Sequence, residues 1–244
     1  MWFLIGKSIS NFKPKSAKDF NPKRYINLGT RGSPLSTPSC LQGTLLPTTE
    51  SSWNAGEIGT NQPLFATSFT PTTQIGSFAG ACQASHILGL VLHHRNTSCI
   101  DTRLRLLEAL QLHRTLVSLD RHLAENPGHV LARALCYSAR LVLYGFYGCN
   151  EHFEVSEERV SEETEMQSAS LAGLREVSHS VYGLASAQLG VETVSPLLCH
   201  CLYLAASELA WFLREGVSGE VACLGVVVGL LRRVGERWGV AGEC

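Results

Sequence analysis

The sequence has no Cys-x-x-Cys pair, although it holds nine cysteines and nine histidines. Such a pair lets two thiolates close on one tetrahedral ion, so the commonest zinc modules are excluded. It has no His-Glu-x-x-His run, which removes the usual zinc protease. No Gly-x-Ser-x-Gly elbow presents a serine nucleophile, and no Gly-x-x-x-x-Gly-Lys-Ser/Thr or Gly-x-Gly-x-x-Gly loop is there to cradle phosphates. Charge is sparse: 17% of residues are charged and the net charge is −1, which argues against a dominant nucleic-acid surface. Long apolar runs are also missing. Residues Val221 to Leu231 make about half a bilayer span, and Leu197 to Phe212 is interrupted by His200 and Glu208; both are expected to be core helices. Trp2 to Ile5 is too short for a secretory signal and is followed by Lys7. The expectation is a reduced, intracellular chain with buried thiols.

What is present is core-forming material. At 244 residues and 45% hydrophobic content, the chain suits one globular domain with a tail. Residues 1–71 are expected to be an irregular arm. Pro14, Pro22, Pro34, Pro38, Pro47 and Pro63 punctuate it, and no helical period survives there. Within residues 1–50, seven basic side chains stand against Asp19 and Glu50, without the tight run a nucleic-acid patch needs. Trp53, Phe65 and Phe69 are expected to pin the arm to a neighbouring surface.

Residues 72–244 read as one all-α domain of six helices. The first begins near Thr73 and ends at about His94. Asp101 is placed to cap the second, whose Leu112, Leu116, Leu119 and Leu123 form one apolar stripe and whose Leu106, Leu110 and Val117 form another. Arg103, Arg114 and Arg121 lie on a third, polar face. Val130 to Tyr147 is nearly all apolar, with Arg133 and Arg140 its only charges, so it should be the centre of the core. Seven glutamates between 151 and 165 suggest a solvated linker, and Thr164 with Gln167 fits a capping box for the next helix. Ser195-Pro196 is a helix start and Gly216 a stop. The last helix carries Leu224, Val227, Leu231, Val234 and Trp238 on one face. Its Gly225 and Gly229 suggest close helix packing.

No constellation carries chemistry on its own. Cys199 and Cys201 flank His200, but residues two apart on a helix point away from each other. Cys82 and His86 could share a metal at i,i+4, yet lack two further ligands of suggestive spacing. His93-His94 closes a helix, where cationic imidazoles would favour the dipole. An enzyme in this class would have to assemble its site from His86, His93 and His113 with Glu108. Catalytic, cofactor-binding, metal and DNA-binding residues are therefore all assigned as none.

A resemblance adds what these patterns do not. Gly76-Ser77-Phe78-Ala79 with Cys82-Gln83-Ala84-Ser85-His86 comes first, followed by Glu108-Ala109-Leu110-Gln111-Leu112-His113. Ala134-Leu135-Cys136-Tyr137-Ser138, Ser195-Pro196-Leu197 and Arg237-Trp238-Gly239-Val240-Ala241-Gly242-Glu243 complete the series. In that order they resemble the C-terminal part of the regulatory, or middle homology, region of fungal binuclear zinc-cluster transcription factors. The likeness covers about two-thirds of the chain, from Trp53 onward. It implies a nuclear, non-enzymatic regulatory domain whose partners are a full-length factor or co-regulator, with a small-molecule effector of unspecified identity. The family's six-cysteine cluster is not among these residues: segment 7–31 holds no cysteine. Direct DNA binding is therefore not expected of this chain, and zinc would belong only to a cluster upstream. The readings that compete with a regulatory domain are the assembled His/Glu enzyme and a truncated relic without a stable fold.

Overall fold

Residues 44–57, 62–64, 75–97, 101–148, 161–192, 194–217 and 219–238 are described in the computed structural model. Among them are seven α-helices and no strand, and the only ladder pairing is one antiparallel bridge between Leu45 and Pro63. The helices are α1 (Glu50–Ala55), α2 (Ser77–Asn96), α3 (Thr102–Ala124), α4 (Val130–Tyr147), α5 (Ser161–Gln188), α6 (Cys199–Arg214) and α7 (Glu220–Trp238), with a 3₁₀ turn, Pro196–Leu198, ahead of α6. The all-α expectation holds. The described residues fall into two compact units, one ending at Val177 and one beginning at Ser178, so the division lies inside α5.

In the first unit the local signals act where expected. The Asp101 carboxylate accepts from the backbone N–H of Arg103 and Leu104, at 2.9 and 3.1 Å, and so satisfies donors that α3 cannot pair internally. Both apolar stripes of α3 are used: Leu106, Leu110, Leu112, Leu116, Leu119 and Leu123 are all buried. The leucines at 116, 119 and 123 are wholly enclosed, each contributing about 1.5–3 kcal/mol of burial. Twelve of the eighteen residues of α4 are buried, which makes it the centre of this unit, with α2 and α3 packed against it.

Three details depart from expectation. The helix α2 begins at Ser77, and Thr73 lies outside the described residues. Its N-cap, Gly76, has no side chain to offer; Glu50 supplies the cap from α1, accepting from Ser77 Oγ at 2.8 Å and Phe78 N at 3.2 Å. The Ser77 hydroxyl, with the backbone donors around it, holds the Glu50 carboxyl below its ordinary pKa. Beneath this cap Leu46, Ile75 and Ala79 form a small cluster joined by Leu64 and Cys82. The N-terminal part is thus mostly irregular where described, but carries one short helix. Trp53 does not pin it: none of the residues of α1 is buried, and the indole is 75% exposed. Phe65 and Phe69 lie outside the described residues.

Helix α5 starts at Ser161, so Thr164 sits inside it and is not a cap. Glu162 and Glu165 pair with Arg103 and Arg114 of α3, each at 3.0 Å. Carboxylates in a first turn also suit the positive helix end, and Glu162 and Glu163 stand in the first turn, upstream of the expected box. The end of the acidic run is therefore helix, not linker; residues 151–160 lie outside the described set. Further on, a Cβ added at Gly173 would meet Tyr144 Cε2 at 2.4 Å. Helix α5 passes α4 more closely there than any side chain permits.

In the second unit, Ser195 Oγ accepts from Leu197 N at 3.3 Å to open the 3₁₀ turn, and Gly216 (φ 80°) closes α6. Pro196–Arg214 is long and apolar enough to cross a membrane by length and composition. Its Cys201, Leu202, Leu204, Ala205, Leu209 and Phe212 are buried, and α6 packs on α7. On α7, Val227, Leu231 and Val234 are buried as expected, while Trp238 is 49% exposed and donates Nε1–H to the Val194 carbonyl at 2.9 Å. Gly225 and Gly229 do not mark close packing: a Cβ at either would meet nothing within 4 Å. Arg233 donates to the carbonyls of Leu189 and Val191 and Arg237 to that of Glu192 at 2.6 Å. They satisfy carbonyls of the turn that follows α5.

Candidate functional site

Along α4 the residues Arg133, Tyr137, Arg140, Tyr144 and Tyr147 follow one another at steps of four and three. That spacing places all five on one narrow stripe of the helix. Arg140 is the hub. It is 2% exposed and its guanidinium reaches Asp120 Oδ2 at 2.6 Å, Glu176 Oε1 at 3.1 Å and the Tyr144 hydroxyl at 3.2 Å. Asp120 comes from α3 and Glu176 from α5, so one side chain ties three helices. Asp120 also accepts from Tyr137, whose hydroxyl is met by Arg133 at 2.7 Å. Arg133 and Arg140 each lie over the ring of the tyrosine four residues on, 5.6 Å from its centroid, which adds a cation–π contribution.

Two histidines complete the stripe. His113 Nδ1 is 2.9 Å from the Tyr144 hydroxyl. That oxygen also accepts from Arg140, so the Tyr144 hydroxyl bridges the guanidinium and the imidazole. His94 is 3% exposed, with Nδ1 2.7 Å from Glu108 Oε2 and Nε2 2.7 Å from the Tyr147 hydroxyl. A carboxylate only accepts. Nδ1 therefore carries the proton, and Tyr147 donates to the bare Nε2.

Burial sets the protonation states. It lowers the pKa of His94 against the opposing pull of the Glu108 hydrogen bond, and lowers that of His113 with help from the Arg140 charge. Both rings are neutral at pH 7. Burial likewise raises Tyr137 and Tyr144 and pushes Asp120 up, offset in part by Arg140 and Arg133. Arg140 is held charged: burial acts to discharge it, and is overcome by Tyr144, Glu176 and Asp120. The stripe is a set of donors and acceptors engaged with one another, which fixes the register of three helices.

The side chains nominated for a spatially assembled enzyme find different partners. Glu108 goes to His94, and His113 goes to Tyr144. His93 is exposed, its ring 3.4 Å from the Thr97 hydroxyl one turn on, and His86 is half-buried on α2. His94 is not the helix-end cation expected from its place beside His93: buried and neutral, it is part of the core network. Cys199 and Cys201 are inert thiols, pushed by burial up to about 11 and about 12; Cys201 Sγ–H turns to the Leu198 carbonyl at 3.2 Å. Cys82 is partly buried in the small cluster under the α2 cap. Glu208, the acid that interrupts the apolar run of α6, is pushed by burial up to about 7.

The apolar run of α4 places Arg140 in the core, but nothing in the sequence names its partners, which lie 20 and 36 residues away. The repeating Arg/Tyr spacing on α4 was the available signal: long polar tips on a helix otherwise buried all round must meet partners on its neighbours. Against known proteins, no family model matches the chain, and neither the curated proteins nor the solved structures supply a match.

Proposed function

We propose that this chain is a non-enzymatic regulatory domain of the kind found in fungal zinc-cluster transcription factors. The observation that carries the reading is the ordered series of helical segments from Gly76-Ser77-Phe78-Ala79 to Arg237-Trp238-Gly239-Val240. The α4 stripe supports it in a second way. Its charged groups answer one another, as suits a module that holds one packing until a competing contact favours another. The chain acts in the nucleus through intramolecular contacts, a full-length factor or co-regulator, or a small-molecule effector. It does not contact DNA itself, since the six-cysteine module is not among its residues. Deleting the gene in its native host and comparing transcript profiles tests the proposal. A coherent set of changed transcripts is expected; an unchanged profile across growth conditions would overturn it.

A further inference from the structure

His179 lies on α5, Glu220 opens α7, and Cys223 follows one turn later on the same face of α7. All three belong to the second unit. His179 Nε2 is 3.0 Å from Glu220 Oε1, and the three donor atoms lie within 4.8 Å of one another. Among the described residues this is the one group of three histidine, cysteine or acidic side chains so arranged. We infer that it is a binding site for a divalent transition-metal ion of the zinc class.

Donor chemistry selects the ion. Nitrogen, oxygen and sulfur together suit a borderline ion such as Zn²⁺ or Co²⁺, and the thiolate disfavours Mg²⁺ and Ca²⁺. Bond lengths of about 2.0–2.3 Å place tetrahedral ligands roughly 3.3–3.7 Å apart, a spacing close to that of the three donor atoms, which lie within 4.8 Å of one another. Charge also balances: a carboxylate, a thiolate and a neutral imidazole together offset a dication, which is what a poorly solvated site requires. Glu220 is 1% exposed and Cys223 8%, whereas the His179 side chain is 43% exposed. The ion has an approach from the histidine side, and three protein ligands leave a fourth position open. The start of α7 further favours both ligands as anions.

The test is titration of the reduced, chelator-treated full chain with Co²⁺. One equivalent should produce a thiolate-to-cobalt charge-transfer band and tetrahedral visible bands, both removed by Zn²⁺. Cys223→Ser should abolish the charge-transfer band. His179→Gln, at the exposed ligand and so tolerant of folding, should weaken binding by more than about 100-fold, since even outer-shell partners are worth about 10–100-fold. Cys82→Ser should change neither. A chain that gives no band, or a band that persists in Cys223→Ser, would overturn the assignment, with circular dichroism confirming that each variant is helical.

Discussion

Replacing Arg140 with methionine would strip Asp120 of the guanidinium 2.6 Å away while leaving its carboxylate, only 16% exposed, with the Tyr137 hydrogen bond alone. Removing one member of a buried pair costs about 3–5 kcal/mol. The Arg140→Met variant should therefore show a marked fall in urea midpoint at an unchanged slope, and adding Asp120→Asn should recover part of the loss, because the orphaned charge is the main penalty. Gly173→Ala makes a complementary test by overfilling the same place. The new methyl would fall on the Tyr144 ring, and the expected loss is about 1–3 kcal/mol, with the Tyr144–Arg140 contact disturbed. A Gly173→Ala variant as stable as the parent would mean that α5 and α4 are not so close. The core position of Arg140 was readable in the sequence, but its partners and the role of Gly173 were not. A glycine at helix–helix contact and a glycine on open surface look alike until the partner helix is known. His93 and His94 pose the same difficulty: neighbours on a helix point about 100° apart, and only the position of α4 decides which of them is enclosed.

At the scale of elements, helices α3 and α4 were legible because their signals are local. Asp101, the leucine stripes and the apolar run from Val130 each act within one or two turns. The starts of α2 and α5 were not, because each involves a partner from elsewhere in the chain: Glu50 caps α2 from 27 residues away, and Glu162 in the first turn of α5 pairs with Arg103 of α3. On α7 the Gly225/Gly229 spacing suggested packing, and the structure leaves both positions open. A stability prediction follows from that openness. Gly225→Ala and Gly229→Ala should each stabilise the chain by about 0.5–1 kcal/mol, through the backbone freedom that glycine loses on folding. Differential scanning calorimetry would show a raised Tm; a lowered one would reveal a contact on that face.

At the scale of the whole molecule, the two units should answer pH in opposite directions. In the first, burial lowers the pKa of His86, His94, His113 and His129. Protons then bind the unfolded chain more readily, so the stability these rings contribute is present above the ordinary histidine value of 6.5 and is lost as pH falls through their depressed values. In the second, the Glu208 carboxyl is raised from 4.5 to about 7. There the unfolded chain ionises first, so stability is full below pH 4.5 and falls as pH rises to about 7. Segment-resolved hydrogen exchange between about pH 5 and about pH 7.5 should show protection in α3 and α4 rising while protection in α6 falls. Parallel changes in both units would contradict these environments. The His179–Glu220–Cys223 group belongs to this scale too, since its members meet across 41 residues and no spacing rule connects them.

If this chain regulates transcription without chemistry of its own, it should do so when carried to a promoter by another protein. The most direct measurement joins it to an unrelated DNA-binding domain and places a reporter gene beside that domain's site in fungal cells. A regulatory domain should change reporter output several-fold, and Arg140→Met, which disrupts the three-helix network, should diminish the change. Reporter output equal to that of the DNA-binding domain alone, with the fusion folded and present in the nucleus, would contradict it.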